Sequence, residues 1–152
     1  MTDDLVTWLR QQLDDDERVA HSATAGPWWH NPGKAWLDAE AFEQYDRSKG
    51  EEFVGYGESP FSGCVAATGP ASHAQSMADA EHIARHDPAR VLAEVAAKRR
   101  ILDEHFEASL GDTGVGAGDC TTCTNYAWPC PTVRLLALPY ADRPGYRPEW
   151  RP

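Results

Sequence analysis

The sequence lacks long hydrophobic runs and extended clusters of basic residues. No apolar run approaches the roughly 20 residues that a membrane-spanning helix needs. The chain begins Met1-Thr2-Asp3-Asp4, which is acidic where a signal peptide would be basic. We therefore expect a cytoplasmic protein with no membrane segment.

The charge balance bears on the class of partner. The 152 residues include 14 Lys and Arg against 24 Asp and Glu, which gives a formal net charge of −10. Nucleic acid is disfavoured as a partner, because phosphate binding needs clustered cations. The basic run Lys98-Arg99-Arg100 is expected on a solvated helix face. The acidic run Asp14-Asp15-Asp16-Glu17 lacks the alternating pattern of a calcium loop, and we interpret it as another solvated face.

Signatures of the common catalytic and nucleotide-binding sites are also missing. The sequence contains no phosphate loop, dinucleotide fingerprint or nucleophile elbow. Two histidines, His82 and His86, lie at i and i+4, but Ile83 and Arg85 stand where zinc-protease motifs require glutamate. We interpret this pair as one histidine that packs and one that caps or hydrogen-bonds near the helix end.

Three of the four cysteines are closely spaced, as Cys120-x2-Cys123-x6-Cys130. In a reducing compartment such spacing indicates metal or redox chemistry rather than disulfides. Structural zinc takes four nitrogen or sulfur ligands, and a CxxC turn lets two thiolates reach one metal. We predict a structural Zn²⁺ bound by Cys120, Cys123, Cys130 and His105. Cys130, at a predicted helix start, is expected to have a lowered thiol pKa.

The residues leave several alternatives open at this cluster. His82 or His86 could replace His105 as the fourth ligand if the preceding helix folds back. A thioredoxin-like pair of Cys120 and Cys123 is disfavoured, because a glycine-rich loop precedes it instead of a strand. A catalytic zinc would need an open coordination position and a general base, for which Glu104 or Asp119 could serve.

Hydrophobic periodicity predicts an α+β fold in a single domain over residues 1–152. A stripe at i, i+3, i+4 and i+8, from Leu5 to Leu13, indicates an N-terminal helix. Asp87-Pro88 predicts a helix restart, because Asp caps helices and Pro is tolerated at their first position. The expected segments are an N-terminal helix at 1–24, a small antiparallel sheet of about three strands at 27–69, a long helix pair at 76–106, a zinc-clamped segment at 105–138 that ends in a helix from Pro131, and an irregular tail at 139–152.

The predicted sheet region contains three features that bear on packing. Trp28 and Trp29 are adjacent in an extended segment, so we expect one in the core and the other as partial cover or as a contact surface. Cys64, inside a predicted strand, is interpreted as a buried small apolar residue. The mixed signal at 34–50 is compatible with a short helix or with a long insertion in a hairpin.

Several motifs occur together along the chain. They are Ala25-Gly26-Pro27-Trp28, the run from Ala80 to Leu92, Lys98-Arg99-Arg100-Ile101-Leu102, the run from Trp128 to Ala137, and Tyr140-Ala141-Asp142 with Glu149-Trp150. Over nearly the whole chain this pattern resembles a family of uncharacterised small proteins from actinobacteria and their phages. The resemblance implies no activity, since that family is of unknown function.

A second, partial resemblance concerns the first half of the chain. The order of Thr24 to Trp28, the predicted strands and then Asp79 to Ala84 is similar to Ead-like accessory proteins of temperate phages. It implies a prophage origin and a regulatory or host-interaction role.

These observations together predict a non-enzymatic, zinc-stabilised interaction or regulatory protein. The expected partner is a protein that meets the Trp28/Trp29 region or the acidic faces. The alternative is an enzyme, either a zinc-dependent hydrolase or a small CxxC redox protein.

Overall fold

The fold is taken from a computed structural model that describes residues 3–30, 50–58, 63–109, 111, 115–123 and 126–152. Within these ranges four α-helices and a three-stranded antiparallel sheet confirm the predicted α+β class. The elements are α1 (Asp3–Ser22), β1 (Trp28–His30), β2 (Glu51–Tyr56), β3 (Cys64–Pro70), α2 (Ala74–Ala84), α3 (Pro88–Glu104), α4 (Pro131–Ala137) and two 3₁₀ helices (Leu138–Tyr140 and Pro148–Trp150). The segment interpreted as a helix or insertion at 34–50 lies outside the described residues, apart from Gly50.

The chain divides into two compact units. Unit 1 comprises Met1–Arg18 and Ala93–Pro152, and unit 2 comprises Val19–Leu92. The expectation of one domain over residues 1–152 stays a prediction. Among the described helices, none has the length and apolar character needed to cross a membrane.

Unit 2 is built on the sheet, whose strands follow the order β1-β2-β3. Trp28 of β1 lies opposite Tyr56 of β2, and Phe53 of β2 lies opposite Ala67 of β3. Helix α2 contacts all three strands. Ala80 of this helix is fully buried.

The two tryptophans of β1 do not have the different degrees of burial that the sequence predicts, because both are half-buried. The indole N–H of Trp28 donates to the Thr24 carbonyl at 2.8 Å. Trp29 lies across Gly55, where a Cβ atom would come within 2.4 Å of its ring, and it makes an edge contact with Phe53. The position of the Trp29 ring therefore requires the absence of a side chain at Gly55, and the ring does not lie deep in the core.

Cys64 is exposed, so its predicted burial is wrong. It is the first residue of β3, the last strand in the described sheet order, and it pairs with Gly55. The register between β2 and β3 shifts next to this pair. A strand end beside an irregular pairing leaves the side chain open to solvent, which residue type alone does not indicate.

The break between α2 and α3 confirms the predicted restart at Asp87-Pro88. Pro88 is the first residue of α3. One carboxylate oxygen of Asp87, Oδ1, accepts a hydrogen bond from the backbone N–H of Arg90 at 2.9 Å. This bond satisfies a donor that a helix N-terminus otherwise leaves unpaired.

In unit 1 the predicted apolar stripe of α1 is buried, with Leu5, Leu9 and Leu13 almost fully inaccessible. The acidic run that follows is not simply solvated, because each of its members pairs with an arginine. The pairs are Asp14 and Glu17 with Arg99, Asp15 with Arg18, and Asp16 with Arg143. Such pairs contribute little energy individually at a surface, but together they fix which faces of the helices meet.

The C-terminal tail packs onto α1 through aromatic side chains. Trp8 lies 5.5 Å from Tyr146 and 5.4 Å from Trp150, measured between ring centroids. Its indole N–H donates to the Pro144 carbonyl at 3.0 Å. Gly145, with φ of +88°, passes so close to Trp8 that a Cβ atom would lie 2.9 Å from the indole nitrogen. The tail thus lacks long elements but has specific contacts.

Tyr140 is the buried polar residue that ties these parts of unit 1 together. Its hydroxyl donates to Asp16 Oδ2 at 2.9 Å and accepts from Lys98 Nζ at 3.1 Å. Burial, followed by the hydrogen bond to Asp16, raises the pKa of the phenol well above its usual value. The folded protein therefore retains the phenolic proton at pH values where the unfolded chain has lost it.

We expect Tyr140→Phe to lower the free energy of unfolding by about 1–3 kcal/mol at pH 8, because a hydrogen bond to a charged group is lost. Between pH 8 and pH 11 the unfolded wild-type chain releases the Tyr140 proton at its ordinary pKa of about 10, while the folded protein keeps it. The free energy of unfolding of the wild type therefore falls by about 1.4 kcal/mol through this ionisation, and that of the variant does not. The difference in stability between the two proteins is thus smaller at pH 11 than at pH 8. Denaturant unfolding at both pH values measures this change.

Tyr126→Phe is the matched control, because the Tyr126 side chain is exposed. It should leave the free energy of unfolding at pH 8 unchanged. A Tyr140→Phe deficit that is equal or larger at pH 11 would contradict the assignment.

Candidate metal centre

Three separate parts of unit 1 supply the cysteine and histidine side chains. His105 directly follows the last residue of α3. Cys120 and Cys123 lie on the turn that follows the glycine-rich loop, and Cys130 is the N-cap of α4. We refer to these four residues as the Cys3His cluster.

Backbone pairing shapes the segment that presents the two CxxC sulfurs. Glu107 forms an antiparallel bridge with Cys120, and Asp119 forms one with Ala127. The N–H of Cys120 donates to the Tyr126 carbonyl at 2.9 Å. Cys120 is therefore held from both sides by short extended segments, although neither is long enough to be a strand.

Two threonines connect this turn to the end of α3. The hydroxyls of Thr121 and Thr122 both donate to the Glu104 carbonyl. A helix C-terminus leaves its last carbonyls without helical partners, and here side chains from the CxxC turn satisfy one of them. The position of His105, one residue further on, is thereby fixed relative to the sulfurs.

The nitrogen and sulfur atoms of the four side chains lie close together. His105 Nδ1 lies 3.5 Å from Cys120 Sγ, 3.6 Å from Cys123 Sγ and 3.5 Å from Cys130 Sγ. All four candidate ligand atoms lie within 4.8 Å of one another, so the group could hold a metal ion. His105, Cys120 and Cys130 are buried, and Cys123 is half-buried.

The thiols differ in their electrostatic surroundings. Burial raises the pKa of Cys120, but backbone N–H groups of Cys123 and Thr122 point at its sulfur, and the net result is a lowered pKa. For Cys130, burial dominates over the N–H of Val133 and raises the pKa to about 11. The helix start therefore does not lower the Cys130 pKa as expected, because desolvation is the larger effect. A cation among the sulfurs would favour the thiolate form of each.

Further hydrogen bonds orient Cys123, the least buried of these thiols. Its backbone N–H donates to Cys120 Sγ at 3.4 Å, and its own sulfur lies 3.4 Å from Thr132 Oγ1. Thr132 lies in the first turn of α4, two residues after Cys130. Sequence reasoning missed Thr132 and Thr122, because a hydroxyl beside a metal ligand leaves no spacing pattern to detect.

The structure brings His105 to the three cysteines, as the sequence predicts. His82 and His86 are not members of the group, and both are exposed residues in unit 2. Of the two candidate bases, Glu104 is exposed and Asp119 is half-buried.

The contrast in burial predicts how the thiols react. In the native protein, Cys64 should react rapidly with dithiobis(nitrobenzoate), because it is the exposed cysteine. The three cluster thiols should react only after denaturation in the presence of a chelator. The measurement is the number of thiols in the fast and slow phases at neutral pH.

Cys64→Ser is the control and should remove the fast phase while leaving the slow one. A fast phase that persists in this variant would show that a cluster thiol is accessible.

The chain was compared with protein families, curated proteins and solved structures. No curated protein matches it, and no solved structure matches it either. A family described as "Family of unknown function (DUF6221)" matches residues 2–152. This agrees with the resemblance to an uncharacterised family that the sequence motifs indicate. With a match over essentially its whole length, the chain belongs to the DUF6221 family of unknown function.

Proposed function

We propose that the protein binds one structural Zn²⁺ through His105, Cys120, Cys123 and Cys130. The observation that carries this proposal is the near-equal distance of 3.5–3.6 Å from His105 Nδ1 to each of the three sulfurs. Hydrogen bonding alone does not account for it, because a single imidazole N–H cannot be directed at three sulfurs at once.

The distances match the dimensions of a tetrahedral zinc site. With Zn–S bonds of about 2.3 Å and a Zn–N bond of about 2.0–2.1 Å, tetrahedral geometry puts the nitrogen about 3.5 Å from each sulfur. The three distances of 3.5, 3.6 and 3.5 Å agree with that value. The nitrogen-to-sulfur spacing is therefore that of a tetrahedral zinc site.

The ligand set supports zinc over other common cations. Calcium and magnesium prefer oxygen ligands, whereas thiolates with imidazole suit zinc. Four protein ligands also complete a tetrahedral shell, while a catalytic zinc keeps one position for water or substrate. A closed shell supports a structural role over the alternative of a zinc-dependent hydrolase.

Zinc binding would stabilise a part of unit 1 whose described contacts are mainly hydrogen bonds. Among the described residues between His105 and Cys130, few apolar side chains are buried, and these include Ala108 and Trp128. Phe106 and Tyr126 in the same segment are exposed. Because ligands brought together by folding convert metal affinity into folding free energy, the zinc would join the end of α3, the CxxC turn and the start of α4.

We further propose that the zinc-stabilised protein acts without catalysis, as an interaction or regulatory protein of phage or prophage origin in the cytoplasm. The support is the resemblance to phage accessory proteins, together with the net charge of −10, which favours a protein partner over nucleic acid. The half-buried indoles of Trp28 and Trp29 are the proposed contact region. The acidic run at 14–17 is a weaker candidate, because its carboxylates already pair with arginines.

The zinc proposal predicts the metal content of the purified protein. Elemental analysis under reducing conditions should find about one zinc per chain. His105→Ala and Cys123→Ser should each lose the metal and lower the free energy of unfolding by several kcal/mol, because metal binding is coupled to folding. Thermal unfolding of the same samples measures the loss of stability.

Cys64→Ser is the matched control, since it removes an exposed thiol outside the cluster and should retain both zinc and melting temperature. A Cys123→Ser protein that keeps its metal and its melting temperature would falsify the proposal.

The redox alternative for Cys120 and Cys123 predicts a different behaviour once the metal is removed. A structural zinc protein should lose near-UV circular dichroism on chelation and recover it when zinc is added back. A redox pair should instead cycle between dithiol and disulfide with its tertiary signal intact. Recording the spectrum through chelation, oxidation and reduction distinguishes the two, and reversible cycling without unfolding would favour the redox protein.

A further inference from the structure

The turn that ends α2 places two histidine rings side by side. The backbone N–H of His86 donates to the Ile83 carbonyl at 3.0 Å, a tighter pairing than the α-helical one. That pairing leaves the His82 carbonyl without the His86 amide that an α-helix would supply. The His86 ring takes its place, with Nδ1 lying 2.7 Å from the His82 oxygen.

This hydrogen bond fixes the tautomer of His86. A carbonyl oxygen can only accept, so Nδ1 must carry the proton in the bond to His82. In the neutral ring the lone pair then resides on Nε2. Histidines that bind metals commonly have this arrangement, in which one ring nitrogen donates to a backbone carbonyl and the other is free for the cation.

The His82 ring lies close enough to act together with His86. The two ring centroids are 4.4 Å apart, and the rings are inclined by 39°. Both side chains are exposed, so the expectation that one of them packs in the core is not met. Within the described part of the chain, the His82 ring has no hydrogen bond or ion pair that would occupy its nitrogens.

The surrounding charges do not oppose a cation. The guanidinium of Arg85, between the two histidines in sequence, pairs with Glu81. Asp79 lies one helical turn before His82, and Asp87 follows His86 directly. Acidic residues therefore flank the pair in sequence, and Arg90 donates to the Arg85 carbonyl at 3.2 Å.

We propose that His82 and His86 form a second metal site, which binds a divalent transition cation of the Ni²⁺, Cu²⁺ or Zn²⁺ class on the surface of unit 2. Imidazole nitrogen suits these cations, and hard cations such as Mg²⁺ prefer oxygen. Water completes the coordination, so the ion exchanges readily. The site is separate from the Cys3His cluster and does not depend on the zinc proposal.

The test is calorimetric titration of the untagged, full-length protein with Ni²⁺ at pH 7.5, after saturation with zinc and removal of the excess. One Ni²⁺ should bind per chain, and the heat of binding should decrease when either imidazole ring is removed. His82→Ala and His86→Ala should each weaken binding by at least about tenfold, because the second ligand acts at high effective concentration. His73→Ala is the matched control, since this exposed histidine at the start of α2 makes no capping bond, and it should leave binding unchanged.

A rescue variant tests the spacing itself. Ala78 is exposed in α2, four residues before His82. Adding Ala78→His to His86→Ala recreates an i, i+4 pair and should restore most of the lost affinity. Wild-type binding in His82→Ala and His86→Ala, or no recovery in the rescue variant with helicity retained, would overturn the proposal. Because these outcomes compare histidine variants only, they stay informative even if the Cys3His cluster binds no zinc.

Discussion

Between α3 and α4 the fold brings three sulfurs and one imidazole nitrogen within 4.8 Å of one another. Among the described residues of this segment apolar burial is sparse, and the rings of Phe106 and Tyr126 are exposed. What brings the four atoms together is a set of backbone bridges and threonine hydrogen bonds that hold the CxxC turn against the helix end. These contacts position the cluster, and a bound ion would in turn hold these contacts, so neither is expected to persist without the other.

The same unit shows a second way to fix an arrangement of helices. Arg99 reaches from α3 to two carboxylates of α1, and Arg143 reaches to a third from the tail. Tyr140 adds a buried hydroxyl that accepts from Lys98 and donates to Asp16. Arg99 and Arg143 thus match a dense acidic run in α1, and the pairing sets the register of α1 against its neighbours.

Local features of the sequence predicted the fold more accurately than features that depend on distant partners. The period of the α1 stripe, the Asp87-Pro88 restart and Pro131 at the start of α4 are local signals, and each element begins within a few residues of its predicted position. His105 was also predicted from distance along the sequence, because it is the histidine nearest the cysteines. By contrast, the exposure of Cys64 follows from a register shift in strand pairing. The raised pKa of Cys130 and the hydroxyl of Thr132 near a sulfur likewise follow from tertiary structure, which residue type and spacing do not reveal.

The contact between Trp8 and Trp150 has a consequence for how the protein is made. During synthesis α1 leaves the ribosome well before Tyr146 and Trp150, whose rings pack on its Trp8. The contiguous segment Val19–Leu92 can acquire its sheet and α2 from nearby partners while translation continues. Unit 1 contains both α1 and the tail, so its contacts between them cannot form until the tail has been translated. Contacts so far apart in sequence form slowly, and until then the Trp8 ring of the nascent chain lacks its aromatic partners.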